Sequence, residues 1–383
     1  MKIGYILDTN PLTDRRSYSG INYYTCKALM KVGFEVVWIP VKRYFFEYAL
    51  FGFLKRLFRL FGKNIGLDFI WRAFFSNLSL NRKMLDTVDY ILVHHITDGY
   101  FLRTRKPVIT YQDATLFSCI DYYSETTGLT KWNKSDIKQL EKRLYEKSSR
   151  IIAASDWHAT SLKIDYFIPD HKIVRINFGA NIDDDGILPA PVASPENGNT
   201  VNILFIGIDW VRKGGNMAIL ICEELIKKGI NAHLHILGST SPLQYANLLR
   251  SDAYTVYGLL NKNNPKDYRR FTDILSKADL LLTPTIAEAA GIMFCEASAY
   301  GIPIFTHHTG GTASYVVNGV NGYGFPVGTD AEIFADKIRE CIISGELKKL
   351  RKSGRQWYEQ NSNWDLFGQK FKRMIEQIAE EQK

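Results

Sequence analysis

Short apolar runs alternate with longer helical stretches along this chain, and the alternation begins twice. The first series predicts strands at Ile3–Leu7, Glu35–Ile39, Tyr90–His94, Val108–Tyr111 and Arg150–Ala154. Helices fall between them at about Gly20–Val32 and Asp136–Ser148, and a third starts behind Ser155 as N-cap. A stretch rich in Asp, Pro, Gly, Ser and Asn, 183–200, then interrupts the pattern. The second series predicts strands at Val201–Ile206, Ala232–Leu237, Thr255–Tyr257, Leu280–Thr283 and Pro303–Thr306, helices at Gly214–Lys228 and Ile292–Tyr300, and a charged closing helix from Trp364. Such an order demands α/β layers. The 383 residues suffice for two cores. The expected organisation is an N-terminal domain over 1–182, a linker over 183–200, a C-terminal domain over 201–363, and a helix over 364–383 packing back on the first domain.

At 46% hydrophobic residues the chain is globular, not disordered. Cysteines 26, 119, 222, 295 and 341 are scattered and form no CxxC pair, which points to a reducing compartment and away from a zinc site or disulfide framework. The N-terminal run is a short strand without the apolar core of a signal peptide, so a cytoplasmic location is expected. No metal is expected. His94-His95 and His307-His308 are neighbours on strands, where side chains alternate between faces, and Asp183-Asp184-Asp185 reads as a solvated turn in the linker.

The net charge of +8 suits a phosphorylated substrate, an anionic membrane or nucleic acid. Its distribution favours the membrane. Between Lys42 and Phe75 stand seven basic residues (Lys42, Arg43, Lys55, Arg56, Arg59, Lys63, Arg72) against Glu47 and Asp68, interleaved with aromatics such as Phe45, Phe53, Phe58 and Phe61. The segment reads as a basic amphipathic helix lying in the membrane interface, at the inner face, without spanning it. The alternative is a helix packed on its own domain with Lys and Arg at the rim.

Four constellations carry chemistry. In Glu288-Ala-Ala-Gly-Ile-Met-Phe-Cys-Glu296 two carboxylates flank seven residues, with Gly291 at the mouth of a helix that starts at Ile292. A helix mouth offers N–H groups to phosphate, and carboxylates accept hydrogen bonds from sugar or ribose hydroxyls. Gly207-Ile208-Asp209-Trp210-Val211-Arg212-Lys213-Gly214-Gly215 sets two cations at another helix start, placed to stabilise a diphosphate leaving group. Arg15-Arg16-Ser17-Tyr18-Ser19-Gly20 repeats the glycine at a helix mouth but lacks GxGxxG, which argues against a nicotinamide or flavin cofactor. Asp113 ends a strand, where it suits a base or an acceptor-hydroxyl partner, or caps the next turn. Thr309-Gly310-Gly311-Thr312 is either a further loop of amides lining the site or a plain tight turn.

These residues resemble retaining glycosyltransferases of family four, the glycosyl transferases group 1. The resemblance covers nearly the whole chain and is strongest from about Val201 to Pro326. It implies the GT-B fold, two Rossmann-like domains facing across a cleft. It implies that Glu288 contacts the donor sugar, Glu296 the ribose hydroxyls, Gly291 and Ile292 the diphosphate, and Lys213, with Arg212 beside it, the phosphate. Gly20 matches the N-domain glycine loop, and Gly258 and Leu259 match the segment beside the nucleobase. Gln112 stands where the family commonly has His, leaving Asp113 as the acceptor-side candidate, and Ile208 replaces a common Arg. The implied activity is a metal-independent, hexosyltransferase-like transfer of sugar from a nucleotide-diphosphate donor to a glycan or lipid-linked acceptor, as in cell-surface polysaccharide or glycolipid assembly, with no cofactor and no nucleic-acid partner. The alternatives are a sugar-nucleotide epimerase on the same fold and a non-catalytic basic protein that binds membrane or nucleic acid.

Overall fold

A computed structural model describes residues 1–66, 70–183, 200–239 and 253–382. The chain divides into two compact units, one of Met1–Asn177 with Phe367–Lys383, the other of Phe178–Leu366.

The first unit runs β1 (Lys2–Leu7), α1 (Ile21–Lys31), β2 (Glu35–Pro40), α2 (Phe45–Leu60), α3 (Ile70–Ser79), α4 (Arg82–Asp86), β3 (Tyr90–Val93), α5 (Ile96–Gly99), β4 (Val108–Gln112), α6 (Leu116–Cys119), α7 (Lys131–Lys147), β5 (Arg150–Ala153), α8 (Asp156–Tyr166) and β6 (Ile173–Arg175). Its strands form one parallel sheet in the order β2-β1-β3-β4-β5-β6. The order reverses between β1 and β3. The second unit runs β7 (Val201–Ile206), α9 (Gly215–Lys227), β8 (Ala232–Leu237), β9 (Tyr254–Gly258), α10 (Pro265–Lys277), β10 (Leu280–Thr283), α11 (Ile292–Ala299), β11 (Ile304–His308), β12 (Gly322–Pro326), α12 (Ala331–Ile343) and α13 (Glu346–Asn361), and α14 (Trp364–Glu381) starts in it. Its parallel sheet has the order β12-β11-β10-β7-β8-β9, reversing between β7 and β10. In parallel α/β sheets the loops leaving the strands on either side of such a reversal form a natural binding crevice.

The central strands β3, β4, β5 and β10 are buried on both faces, which is why they read as continuous apolar runs. Ile203, Phe205, Leu234, Ile236, Leu280 and Leu282 share a core with Ile221 and Leu225 of α9 and Phe334 and Ile338 of α12. Local signals fix the helix ends. Ser155 caps α8 by accepting from the His158 N–H, and Asn264 caps α10 ahead of Pro265 at the first helical position.

The structure departs from the sequence reading in several places. The basic aromatic segment is not one helix but two, α2 and α3. Two of its seven cations are spent internally: Arg43 lies buried between Asp98 and Asp8, and Arg72 pairs with buried Glu47. The strand at 90 stops at Val93, so His94 and His95 escape strand alternation and their rings meet edge to face with centroids 4.9 Å apart. The units divide after Asn177 and Leu366, where the sequence suggested 182 and 363. Phe178–Asp183 stay with the second unit because they bond to it. The Phe178 N–H donates to the Tyr315 hydroxyl at 3.2 Å, Ser362 Oγ donates to the Phe178 carbonyl at 2.7 Å, Trp364 Nε1 donates to Asn181 Oδ1 at 3.1 Å, and the Asp183 N–H donates to the Tyr268 hydroxyl at 2.7 Å. Residues 184–199 of the expected linker, with Asp184 and Asp185, lie outside the described residues.

Candidate functional site

The loops that leave β7 and β10, on either side of the reversal in the second sheet, meet side by side. Three glycines permit the tight packing of the first loop, and Gly214 its approach to the second. A Cβ on Gly207 would lie 2.7 Å from the Lys213 side chain, and one on Gly214, at φ +75°, would lie 2.1 Å from the Pro284 carbonyl oxygen. A Cβ on Gly215 would strike the Trp210 ring at 2.2 Å. The backbone then locks the two loops together. The Arg212 carbonyl accepts from the Ile286 N–H at 2.9 Å and from Thr285 Oγ1 at 3.0 Å.

This scaffold brings Lys213, Arg212 and Glu288 into one cluster. Lys213 Nζ donates to Glu288 Oε2 and lies 3.5 Å from Met293 Sδ. Arg212 Nη1 donates to the Ala287 carbonyl at 2.9 Å and to the same Glu288 oxygen at 3.3 Å, while its Nε faces Asp209 at 3.4 Å. Burial lowers the Lys213 pKa, and the Glu288 carboxylate works against that shift. An anion arriving here competes with Glu288 for both cations.

Helix α11 supplies the rest. Gly291 is its N-cap at φ +88°, where a Cβ would meet the Phe294 ring at 2.5 Å. Ile292 and Met293 lie in the first turn, where the helix itself offers their N–H groups no acceptor. Glu296 is 3% exposed one turn further on. Burial raises its pKa, while Lys262 and, more weakly, Lys213 pull it down. The Thr309–Thr312 turn joins the cluster, since the Gly311 N–H donates to the Glu288 carbonyl at 3.0 Å. Gly258 ends β9 at φ +68° with its carbonyl accepting the Gly238 N–H at 2.8 Å, and Leu259 beside it is exposed. A Cβ on Gly238 would lie 3.1 Å from Gly207, so the ends of β7, β8 and β9 stand close together.

Gly20 and Asp113 belong to the first unit, Gly20 in the loop after β1 and Asp113 directly after β4. Gly20 is the N-cap of α1 at φ +90°, preceded by Tyr18 and Ser19 at φ 52° and 56°. Three successive left-handed residues, two of them not glycine, are costly backbone that the surroundings must hold. The Tyr18 ring packs 4.2 Å from the His94 ring. Burial first, then the Asp113 carboxylate to which it donates, drive the Tyr18 phenol well above its ordinary pKa. Gln112 is buried with its Oε1 2.8 Å from the Tyr145 hydroxyl oxygen. Lys213, Arg212, Glu288, Gly291, Ile292 and Glu296 thus gather in one unit and Gly20 with Asp113 in the other.

Two residues of these clusters escaped the sequence reading. Tyr18 lay inside a motif in which only Gly20 was singled out. Lys262 has no spacing signature, being 34 residues from Glu296 in a polar turn.

Residues 190–357 match the family model described as Glycosyl transferases group 1. An uncharacterized 41.2 kDa protein in the cps region of Klebsiella pneumoniae is 22% identical over 283 residues, covering 70% of this chain and 72% of that protein. The lipopolysaccharide glucosyltransferase WaaG of Escherichia coli (strain K12) is 26% identical over 152 residues, 38% of either chain. Among solved structures, Anabaena Alr3699/HepE in complex with UDP superposes with a TM-score of 0.66 at 14% identity, covering 98% of this chain and 100% of that one. Two parallel-sheet α/β units in this order and the likeness to solved structures along nearly the whole chain give the GT-B fold, and within it residues 190–357 match the glycosyl transferases group 1 family.

Proposed function

We propose that this enzyme moves a sugar from a nucleotide-diphosphate sugar to a glycan or lipid-linked acceptor hydroxyl with retention at the anomeric carbon, in cell-surface polysaccharide or glycolipid assembly. The pairing of Lys213 and Arg212 on Glu288 at the sheet reversal, beside the mouth of α11, carries the reading. Negative charge grows on the diphosphate as the glycosidic bond breaks. Lys213, Arg212 and the first-turn amides at Gly291 and Ile292 meet that charge, so the step is proposed to run without a metal. Glu288 turns from the cations to the donor sugar, Glu296 accepts from the ribose hydroxyls, and Gly258 and Leu259 border the base. Asp113, held by Tyr18, serves the acceptor side, and the Gly20 loop lies with it. The names of the relatives support the setting, one lying in a cps region and another acting on lipopolysaccharide.

The exposed faces of α2 and α3 rest on anionic lipid at the inner face of the membrane. Phe45, Phe53, Leu60, Phe61 and Phe74 are exposed among Arg56, Arg59 and Lys63. No helix among the described residues is long and apolar enough to cross a membrane.

A thermal-shift panel of UDP-, GDP- and ADP-sugars tests the donor assignment. A cognate donor raises the melting temperature by mass action. Silence across the whole panel at millimolar ligand overturns it.

A further inference from the structure

Glu296 is nearly sealed from water, and burial drives its carboxyl toward the protonated form. A protonated carboxyl turns one acceptor into a donor and grips hydroxyls less well. One cation sits directly on it. Lys262, in the turn between β9 and α10, donates from Nζ to Glu296 Oε1. The same ammonium stands 4.1 Å from the centroid of the Phe271 ring and 3.5 Å from the Asn181 carbonyl. The turn that carries Lys262 is fixed without it. The Asn261 N–H donates to Asp267 Oδ2 at 3.0 Å, the Asn263 N–H to Asn261 Oδ1 at 3.0 Å, and Asn264 caps α10. The ion pair is therefore surplus to the shape of the loop.

We propose that Lys262 is a positioning residue for donor binding, holding the Glu296 carboxylate ionised and aimed so that its remaining lone pairs accept from the nucleotide's hydroxyls. This rests on the donor-site reading of Glu296. The titratable groups that bear on Glu296 among the described residues are Lys262, Lys213, Cys295 and Tyr300. Lys213 is occupied by Glu288, and Cys295 and Tyr300 are neutral near pH 7, so Lys262 is the principal counter-charge.

Calorimetric binding of UDP, GDP and ADP, measured from pH 6 to 9 on wild type, Lys262→Met, Lys262→Arg, Glu296→Gln and the Lys262→Met/Glu296→Gln pair, decides the matter. In Lys262→Met the nucleotide that wild type binds should bind at least about tenfold more weakly at pH 7, and its binding should recover with rising pH, the acid limb moving up by about 1–3 units. Lys262→Arg should keep the wild-type limb, and the double variant should bind no worse than Glu296→Gln. Unchanged binding in Lys262→Met, or weakening by the same factor at every pH, overturns the proposal. If Lys262→Met melts without cooperativity, Lys262→Gln takes its place under the same criteria. Wild-type affinity in Glu296→Gln sinks the donor-site reading itself, as does a wild-type chain that binds none of the three nucleotides, and either result takes this inference with it.

Discussion

Lys213 is a buried cation with a carboxylate already on it, so its removal separates binding from turnover. On the proposed donor-site reading, Lys213→Ala leaves Arg212 to hold Glu288 and the α11 mouth to hold phosphate. Donor KM should change little, while kcat falls by roughly 100-fold or more, the cost of losing one preorganised charge on a leaving group. Steady-state kinetics against the donor checks this. Glu141 makes a pH prediction. It is fully buried in α7 and accepts from the Tyr145 and Tyr166 hydroxyls and from the Leu116 and Phe117 N–H groups, yet burial outweighs these donors and pushes its pKa up to about 7. A carboxyl raised in the folded state binds its proton more tightly there than in the unfolded chain. Its contribution is therefore most favourable below pH ~4.5 and declines as pH rises toward about 7, by no more than about 3 kcal/mol. Glu141→Gln should flatten that part of the stability profile in urea melts at pH 5, 6 and 7. At this scale the sequence displayed the Glu288–Glu296 spacing and the Arg212–Lys213 pair openly. It hid Lys262, because contact with Glu296 depends on how the β9–α10 turn folds over α11 and on no local pattern.

Elements were legible where burial is uniform and illegible where close approach sets the composition. The apolar runs of β7 and β10 announce two-faced burial. β12, Gly-Tyr-Gly-Phe-Pro, looks like a turn, yet Gly322 and Gly324 are required because a Cβ would lie 1.9 Å from the Ile304 carbonyl oxygen and 2.0 Å from the His308 ring. Its Pro326 is tolerated on an edge strand. β6 is three residues long and leaves too brief a pattern to read. The aromatic segment signalled helix and charge, but its sequence could not say which aromatics face inward. Phe58 packs 5.9 Å from Trp132, whereas Phe53 and Phe61 are 62% and 74% exposed. The pair Phe53→Ser/Phe61→Ser therefore tests the membrane face without opening the fold. Partitioning onto phosphatidylglycerol-containing vesicles should fall about 10–100-fold with the melting temperature held, from about 1.5–3 kcal/mol per fully buried large apolar side chain, discounted for partial insertion. Unaltered sedimentation with vesicles would remove the membrane contact.

The whole molecule is two parallel-sheet units sharing one chain that passes between them twice. Alternation made both sheets readable, while the points of passage were misplaced by a few residues because nothing in the composition marks where bonding changes sides. The last helix contributes Phe367, Phe371, Met374, Ile375 and Ile378, all buried, with the Phe371 ring edge-on to Phe34 and Phe367 against Tyr111. Ending the chain at Leu366 should remove more apolar burial than a domain of ordinary stability can spare. Hydrogen exchange is expected to collapse in β1–β4 while β7–β11 keep their protection. The two hydrogen bonds between the passages, from Ser362 Oγ to the Phe178 carbonyl and from Trp364 Nε1 to Asn181 Oδ1, have a practical outcome for anyone recombining chains of this fold. Gly179 must stay beside Trp364, whose N atom would lie 2.5 Å from any Cβ placed there. A transplanted second unit should therefore carry 178–366 as one cassette, since a splice at 201 or 363 cuts the seam that closes it.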